Sequence, residues 1–315
     1  MDNKLRGRVQ FVAALVQNAD LRGFFTGRID QGAQKAVCVP GLNCYSCPGA
    51  LMSCPIGSLQ AFLSARPVKV PYYVAGLLLF FGALLGRAVC GFLCPFGWIQ
   101  ELLHKIPFPR KKLGTFPGDR LLRRLKYLVL AGLVVLVPML LTDWTPAFCK
   151  YLCPAGTLEG GVPLVLLHGE RLHLEVGPLF FWKLFILVAV VLSGMAIYRP
   201  FCKYLCPLGA LYAPFNRVAL YRMRLSEDRC VACGKCARVC PMQVDPSKTP
   251  NSGECIRCGV CVGACPTKAL RLGVREKQGQ GIRDKGQVNA KTLFPCSVFL
   301  VPFMSMRPEL YETQN

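Results

Sequence analysis

A chain of 315 residues with a formal net charge of +21 is also 53% hydrophobic. Its mean hydropathy of +0.37 exceeds that of an ordinary soluble domain, and the apolar residues gather in runs, which excludes an evenly patterned soluble enzyme. Beside such runs the surplus of Lys and Arg reads as cytoplasmic loops, not as a nucleic-acid footprint, and 19 cysteines at spacings of two and three residues read as metal ligands rather than disulfides.

Taken in order, Met1 to Arg28 is basic and then moderately apolar over Val9 to Val16, with Asn18, Asp20 and Arg22 interrupting it. This predicts a weak first span or a helix lying on the membrane surface, without the cleavage pattern of a signal peptide. The run from Cys38 through Cys44 and Cys47 to Cys54-Pro, broken by Pro and Gly, is a loop suited to presenting thiolates; a disulfide-bonded loop is the alternative. Val70 to Gly86 is uncharged between Lys69 and Arg87, near the short end of the about 17–25 residues that span a bilayer. Cys90 and Cys94 follow it, and then a basic stretch from Lys105 to Lys126.

Tyr127 to Thr142 is a second uncharged run, flanked by Asp143-Trp144 and followed by Cys149 and Cys153. Gly161 to His168 is apolar but too short to span. Phe180 to Tyr198 is the third strong run, closed by Arg199 and followed by Cys202 and Cys206. The cysteines close these runs in a repeat: Cys202-Lys-Tyr-Leu-Cys206-Pro-Leu-Gly-Ala-Leu, Cys149-Lys-Tyr-Leu-Cys153-Pro-Ala-Gly-Thr-Leu, Cys90-Gly-Phe-Leu-Cys94-Pro-Phe-Gly-Trp-Ile, and the half-copy Cys54-Pro-Ile-Gly-Ser-Leu. Recurrence with Pro and Gly at fixed offsets marks residues 9–110 and 127–225 as tandem halves. A Cys-x3-Cys pair brings two thiolates to one centre, and the Pro pre-sets the first turn of a following helix.

The basic stretch puts the loop after Cys94 on the cytoplasmic side. Cys90, Cys94, Cys202 and Cys206 are then expected on that face, and four thiolates are what one [4Fe–4S] cluster needs. Cys44, Cys47, Cys54, Cys149 and Cys153 are expected on the opposite face as a further cluster site, with one thiol to spare. Hydrocarbon about 30 Å thick would separate the two faces, so a path between them would need a quinone, a flavin or another carrier.

The most specific signal follows. Cys230-x2-Cys233-x2-Cys236-x3-Cys240-Pro recurs as Cys255-x2-Cys258-x2-Cys261-x3-Cys265-Pro. In such runs the fourth cysteine ligates the other cluster, so Cys230, Cys233, Cys236 and Cys265 hold one [4Fe–4S] centre and Cys255, Cys258, Cys261 and Cys240 a second. Zinc, the other taker of Cys-x2-Cys pairs, does not require this spacing. The stretch after Glu276 is polar and Gly-rich, and Cys296 stands alone in a short apolar segment, read as structural. His104, His168 and His173 are read as ordinary solvated or interfacial groups; no Cys-x-x-Cys-His is present, and haem is not expected. No nucleotide loop or nucleophile–base pair is seen, so catalytic residues are not expected.

Cys-x3-Cys-Pro pairs at the ends of apolar runs, followed by a two-cluster module, resemble the NapH-type membrane ferredoxins, over about residues 38–270. That group includes accessory iron–sulfur proteins of nitrate and nitrous-oxide reduction and ferredoxins of cytochrome-oxidase assembly. Asn43-Cys44-Tyr-Ser-Cys47-Pro looks like the element of a subgroup of 4Fe-4S binding membrane proteins. The resemblance implies electron transfer between a cytoplasmic donor or quinol pool and a partner oxidoreductase.

The expected architecture is mostly α. A polytopic membrane domain (1–222) has three strong spans and a fourth at the N-terminus; a small α+β two-cluster ferredoxin domain (223–273) and a flexible tail (274–315) follow. The expected protein is an electron-transfer component of the inner (cytoplasmic) membrane, multi-pass, with its ferredoxin domain in the cytoplasm. Its partners are the membrane, a redox protein and a quinone, with no nucleic acid. A redox-active assembly factor for a metalloenzyme and a membrane redox sensor are the alternatives.

Overall fold

Every second cysteine of the repeat starts a helix. Cys54, Cys94, Cys153 and Cys206 have extended backbone conformation at the N-cap, and Pro55, Pro95, Pro154 and Pro207 occupy the first helical turn, where a missing N–H costs nothing. The glycine three residues on turns its amide to the cap. Gly97 N–H and Gly209 N–H each donate to the cysteine sulfur at 3.4 Å. Sulfur thus takes the place that Ser or Asp fills in an ordinary cap. The first cysteine of each complete pair lies on the one-turn helix just before: Ala88–Phe92, Ala147–Tyr151 and Pro200–Tyr204.

The computed structural model describes residues 3–65, 71–107, 112–141, 146–171 and 176–274. The tail beyond Val274 with Cys296, together with His173, Asp143-Trp144, Lys69, Arg110 and Lys111, lies outside them. Residues 1–283 form one compact unit, so the helical part and the ferredoxin module share a single body.

The expectation of three strong spans and a fourth is not met. Among the described residues one helix, Pro178–Ala196, is long and apolar enough to cross a membrane. Its 19 residues extend about 28 Å at 1.5 Å per residue, close to the hydrocarbon thickness. The helix in the first run is only Tyr72–Leu85, 14 residues, about 21 Å long. It ends where Gly86 takes φ 54° and its amide caps Phe81 and Gly82. In the second run the helical stretch covers 125–140, with a π turn at Leu130–Leu136 and Pro138 just beyond it. The N-terminal helix Asn3–Gln17 is likewise too short, and it turns its polar side inward. Arg6, Gln10 and Gln17 are buried while Phe11, Val12 and Val16 are exposed. Hydropathy counted these runs as spans because part of their apolar surface packs inside the protein, with Val74, Leu78, Val129 and Val134 in the core.

The ferredoxin module is bracketed by a two-stranded antiparallel sheet. Strand β1, Tyr221–Leu225, pairs with β2, Leu270–Val274, with Tyr221 opposite Val274. Between them lie the one-turn helices Lys235–Arg238 and Val260–Ala264. The principal core runs without a break from Cys54 and Cys153 through Cys94 and Cys206 to Cys258, joining module to helices.

Candidate iron–sulfur sites

The cysteines gather in four sets. Cys230, Cys233, Cys236 and Cys265 line one small cavity, and Cys240, Cys255, Cys258 and Cys261 line another. Each of these pools three cysteines of one run with the fourth of the other. The third set combines the two halves of the helical part. Cys202 and Cys90 are the thiols that act most on Cys94, and both act on Cys206. In the fourth set Cys149, Cys44 and Cys54 surround Cys153. Cys47 stands beside Cys44 and Glu159, toward Lys35, with the Gly49 and Ala50 amides turned to it. Cys38 is apart from all four sets, its sulfur 3.4 Å from the Ser58 hydroxyl.

The third and fourth sets are not on opposite sides of a bilayer. Adjacent residues of one loop serve both: the Leu42 amide is turned to Cys94 and the Asn43 amide to Cys54. The loop passes so close that a side chain on Gly41 would stand 3.0 Å from the Cys94 Cα. The two-sided arrangement expected from loop charge is therefore corrected. Loop charge orients a chain only where spans separate its loops, and here the runs between the cysteines do not all span.

The residues around the third set fit a buried anionic group. Arg87 and Arg199, each three residues before a first cysteine, are both fully buried. Arg87 Nη2 donates to the Cys202 carbonyl at 3.2 Å, and Arg199 Nη1 donates to the Cys90 carbonyl at 2.5 Å. Glu254 balances Arg87 at 2.9 Å and Glu101 balances Arg199 at 2.6 Å, yet the Nε–H of each arginine is buried without an acceptor. A cluster carries inorganic sulfides and net negative charge, which such donors would meet. Burial, and then Cys202 and Cys90 beside it, push the Cys94 thiol up to about 12. Burial and Cys54 do the same to Cys149. Four thiolates share such a site only when a polycation binds them. Among the described residues no three His, Cys, Asp or Glu side chains converge closely enough for a single metal ion.

The ferredoxin module is clamped to the third set. Ile256 O stands 2.4 Å from where a Gly91 side chain would begin, beside Cys90. Arg257 donates to the Leu85 and Asn216 carbonyls at 2.8 and 2.7 Å. Asn216 accepts from the Arg87 amide and donates to the Ser252 and Cys255 carbonyls. A cavity of about 460 Å³ opens beside the module, bounded by Trp98, His104, Tyr198 and Cys240. His104 bonds the Gly194 carbonyl and His168, buried rather than solvated, the Phe24 carbonyl.

Cysteine sets built this way, with sulfur-capped helices and a doubled ferredoxin run, define a ferredoxin-type protein that binds [4Fe–4S] clusters. The 4Fe-4S binding domain family matches residues 70–115, 125–162 and 178–226, and the 4Fe-4S dicluster domain family matches 222–266. An uncharacterized protein of Methanocaldococcus jannaschii is 30% identical over 196 residues, 61% of this chain and 74% of that protein. The methylamine utilization ferredoxin-type protein MauN of Paracoccus denitrificans is 29% identical over 60% of this chain and 61% of its own length. YccM of Escherichia coli, named for electron transport, is 27% identical over 52% of this chain and 44% of its own length. No solved structure matches. The chain belongs to the family of 4Fe-4S ferredoxin-type proteins that these relatives share, and electron transfer is its general activity.

Proposed function

We propose that this protein is a membrane-associated electron relay of the NapH type that holds four [4Fe–4S] clusters in series. The ligands are Cys230, Cys233, Cys236 and Cys265; Cys240, Cys255, Cys258 and Cys261; Cys90, Cys94, Cys202 and Cys206; and Cys44, Cys54, Cys149 and Cys153. Each bound cluster supplies a one-electron carrier whose potential depends on burial and on hydrogen bonds to its sulfurs. The single observation that carries the reading is the Leu42-Asn43 step, whose consecutive amides face cysteines of two different sets. Continuity at the other end comes from Ile256 against Gly91. Exposure falls from Cys233 at the surface to the buried Cys90, Cys94, Cys202 and Cys206 and rises again at the half-buried Cys44 and Cys149, so the first set is the one most open to a soluble partner.

Membrane association rests on Pro178–Ala196, which turns Phe181, Trp182, Phe185, Val188 and Leu192 outward. At its C-terminal end Leu113 N–H bonds the Ala196 carbonyl and Lys112 the Met195 carbonyl, within the basic stretch that Arg123 ties to the ferredoxin module through Met242 O. Positive charge at that end favours a cytoplasmic module. The cavity at Cys240 suits a quinone, with Trp98 and Tyr198 as apolar walls and His104 as a polar contact. A partner oxidoreductase is the other terminus.

Anaerobic iron and acid-labile sulfide assays of the purified protein, with EPR of the dithionite-reduced sample, test the reading. About sixteen iron per chain is expected at four per cubane, falling by about four in Cys90→Ala/Cys202→Ala and by about four in Cys149→Ala/Cys153→Ala. About eight iron in all three proteins would confine the clusters to the ferredoxin module and end the relay reading.

A further inference from the structure

The repeat has one more position of interest beyond its cysteines, proline and glycine. Six residues beyond Cys54, Cys94, Cys153 and Cys206 stand Gln60, Gln100, Glu159 and Tyr212, and each reaches across to another segment. Gln60 and Gln100 make the same three contacts. Gln60 Nε2 lies 3.4 Å from Cys149 Sγ and 3.3 Å from Ile56 O, and its Oε1 accepts the Phe148 amide at 2.9 Å. Gln100 Nε2 lies 3.2 Å from Cys202 Sγ and 3.4 Å from Phe96 O, and its Oε1 accepts the Phe201 amide at 3.1 Å. Both residues are 0% exposed. Reversing either amide would set oxygen against a carbonyl and NH₂ against an N–H, so the contacts fix which end faces the sulfur.

We propose that Gln60 and Gln100 are paired positioning residues for the two helical-part sites: each fixes the first cysteine of the opposing pair through its carbonyl and donates an N–H to that cysteine's sulfur, setting the reduction potential of the cluster held there. The inference rests on the ligand sets given above. A reduced cluster carries one more negative charge, spread partly onto its thiolates, and a donor at the sulfur stabilises that form; exclusion of water keeps the donation undiluted. The targets are the two copies that share Cys-Lys-Tyr-Leu-Cys, at Cys149 and Cys202. The corresponding residues of the second half do something else. Glu159 Oε2 accepts the Cys44 amide at 2.9 Å and Tyr212 donates to the Pro40 carbonyl at 3.1 Å. Among the described residues each site therefore receives one glutamine side-chain donor from the first half, onto one cysteine of four, beside its backbone amide donors.

The test is EPR-monitored redox titration of the anaerobic full-length protein, with iron assayed on every sample. Gln100→Leu removes all three contacts, while Gln100→Glu keeps the acceptor for Phe201 N–H and removes the amide donor; Gln60→Leu and Gln60→Glu do the same at the other site. The expected result is one midpoint shifted to lower potential in each Gln100 variant, a different midpoint shifted in each Gln60 variant, and full iron in both Glu variants. Unchanged midpoints at full iron would overturn the proposal. Loss of about four iron per chain from Leu and Glu variants alike would also overturn it, leaving the glutamines as scaffold only. Wild-type protein with about eight iron would instead remove the ligand sets on which the inference rests.

Discussion

Gly97 and Gly57 occupy the same offset of the repeat, yet they differ in what a side chain would meet. A Cβ on Gly97 would stand 2.8 Å from Arg199 Nη1, whereas one on Gly57 would meet nothing nearer than Cys149 Sγ at 3.8 Å. Arg199 cannot yield easily, being held by Glu101 and the Cys90 carbonyl. Gly97→Ala is expected to cost about 1–3 kcal/mol as overpacking and to lower iron content, with Gly57→Ala close to wild type; equal thermal midpoints and iron in the two variants would contradict this. Glu101 is the other decisive single residue, because it pairs with both Arg6 and Arg199. Burial lifts its carboxyl, but Arg199 and Arg6 pull it down further, to about 2. A depressed carboxyl stabilises the fold above its ordinary value of about 4.3 and loses that contribution as pH falls toward the folded value. Glu101→Gln should therefore be destabilised most at neutral pH, by several kcal/mol if two buried cations are left uncompensated. The gap to wild type should narrow below about pH 4.5 in urea denaturation followed by circular dichroism.

Between elements, the join that matters is the one between the helical part and the ferredoxin loop 252–257. Asn216 is its pivot, bonding Arg87 on one side and Ser252 and Cys255 on the other. Asn216→Ala orphans a buried amide and two carbonyls, each worth about 1–3 kcal/mol when left unmade. The expected outcome is a lower thermal midpoint and weaker magnetic coupling between reduced clusters, with iron retained; unaltered EPR line shapes would mean that the module docks without it. The ferredoxin quartets were legible in the sequence because the ligands lie within one short, doubly repeated spacing. The third set was legible too, through matching Cys-x3-Cys pairs at equivalent ends of two halves. What stayed hidden was which of Cys44 and Cys47 faces the second half, since the Glu159 carboxylate that accepts the Cys44 amide and the Gly156 contact to Cys44 lie over a hundred residues away. The glutamine offset could have been found by extending the repeat alignment past its last apolar position to Gln60 and Gln100. The spans were misjudged for a different reason: hydropathy does not distinguish an apolar face turned to lipid from one turned toward buried cysteines.

For the whole molecule the question is how one helix long and apolar enough to cross a membrane, among the described residues, accompanies several buried cysteine sets. Apolar residues lie exposed on other helices as well: Tyr72, Phe80, Leu128, Leu140 and Leu166 are all exposed. Exposed apolar area of this extent marks an interaction surface, and it adds to the outward apolar face of Pro178–Ala196, the one helix among the described residues long and apolar enough to cross a membrane. Burial in a low-dielectric surround suits the series, because water near a cluster would screen the hydrogen bonds that set its potential. Interfacial aromatic residues such as Tyr72, Tyr73 and Trp182 fit the level of the headgroups. The prediction follows from where the outward face of Pro178–Ala196 sits. Phe185 and Val188 are 64% and 47% exposed, so replacing both by Arg gives up the stacking of Phe185 on Trp182 and sets two charges at the middle of the helix, at about 2.5–3.5 kcal/mol each on insertion scales. Phe185→Arg/Val188→Arg should move the protein from the membrane fraction to the soluble or aggregated fraction in flotation assays, while Arg replacements at the exposed module residues Val231 and Val274 should leave it floating. If the helix variant floats as wild type does, the membrane is engaged through the other apolar faces and Pro178–Ala196 is not its anchor.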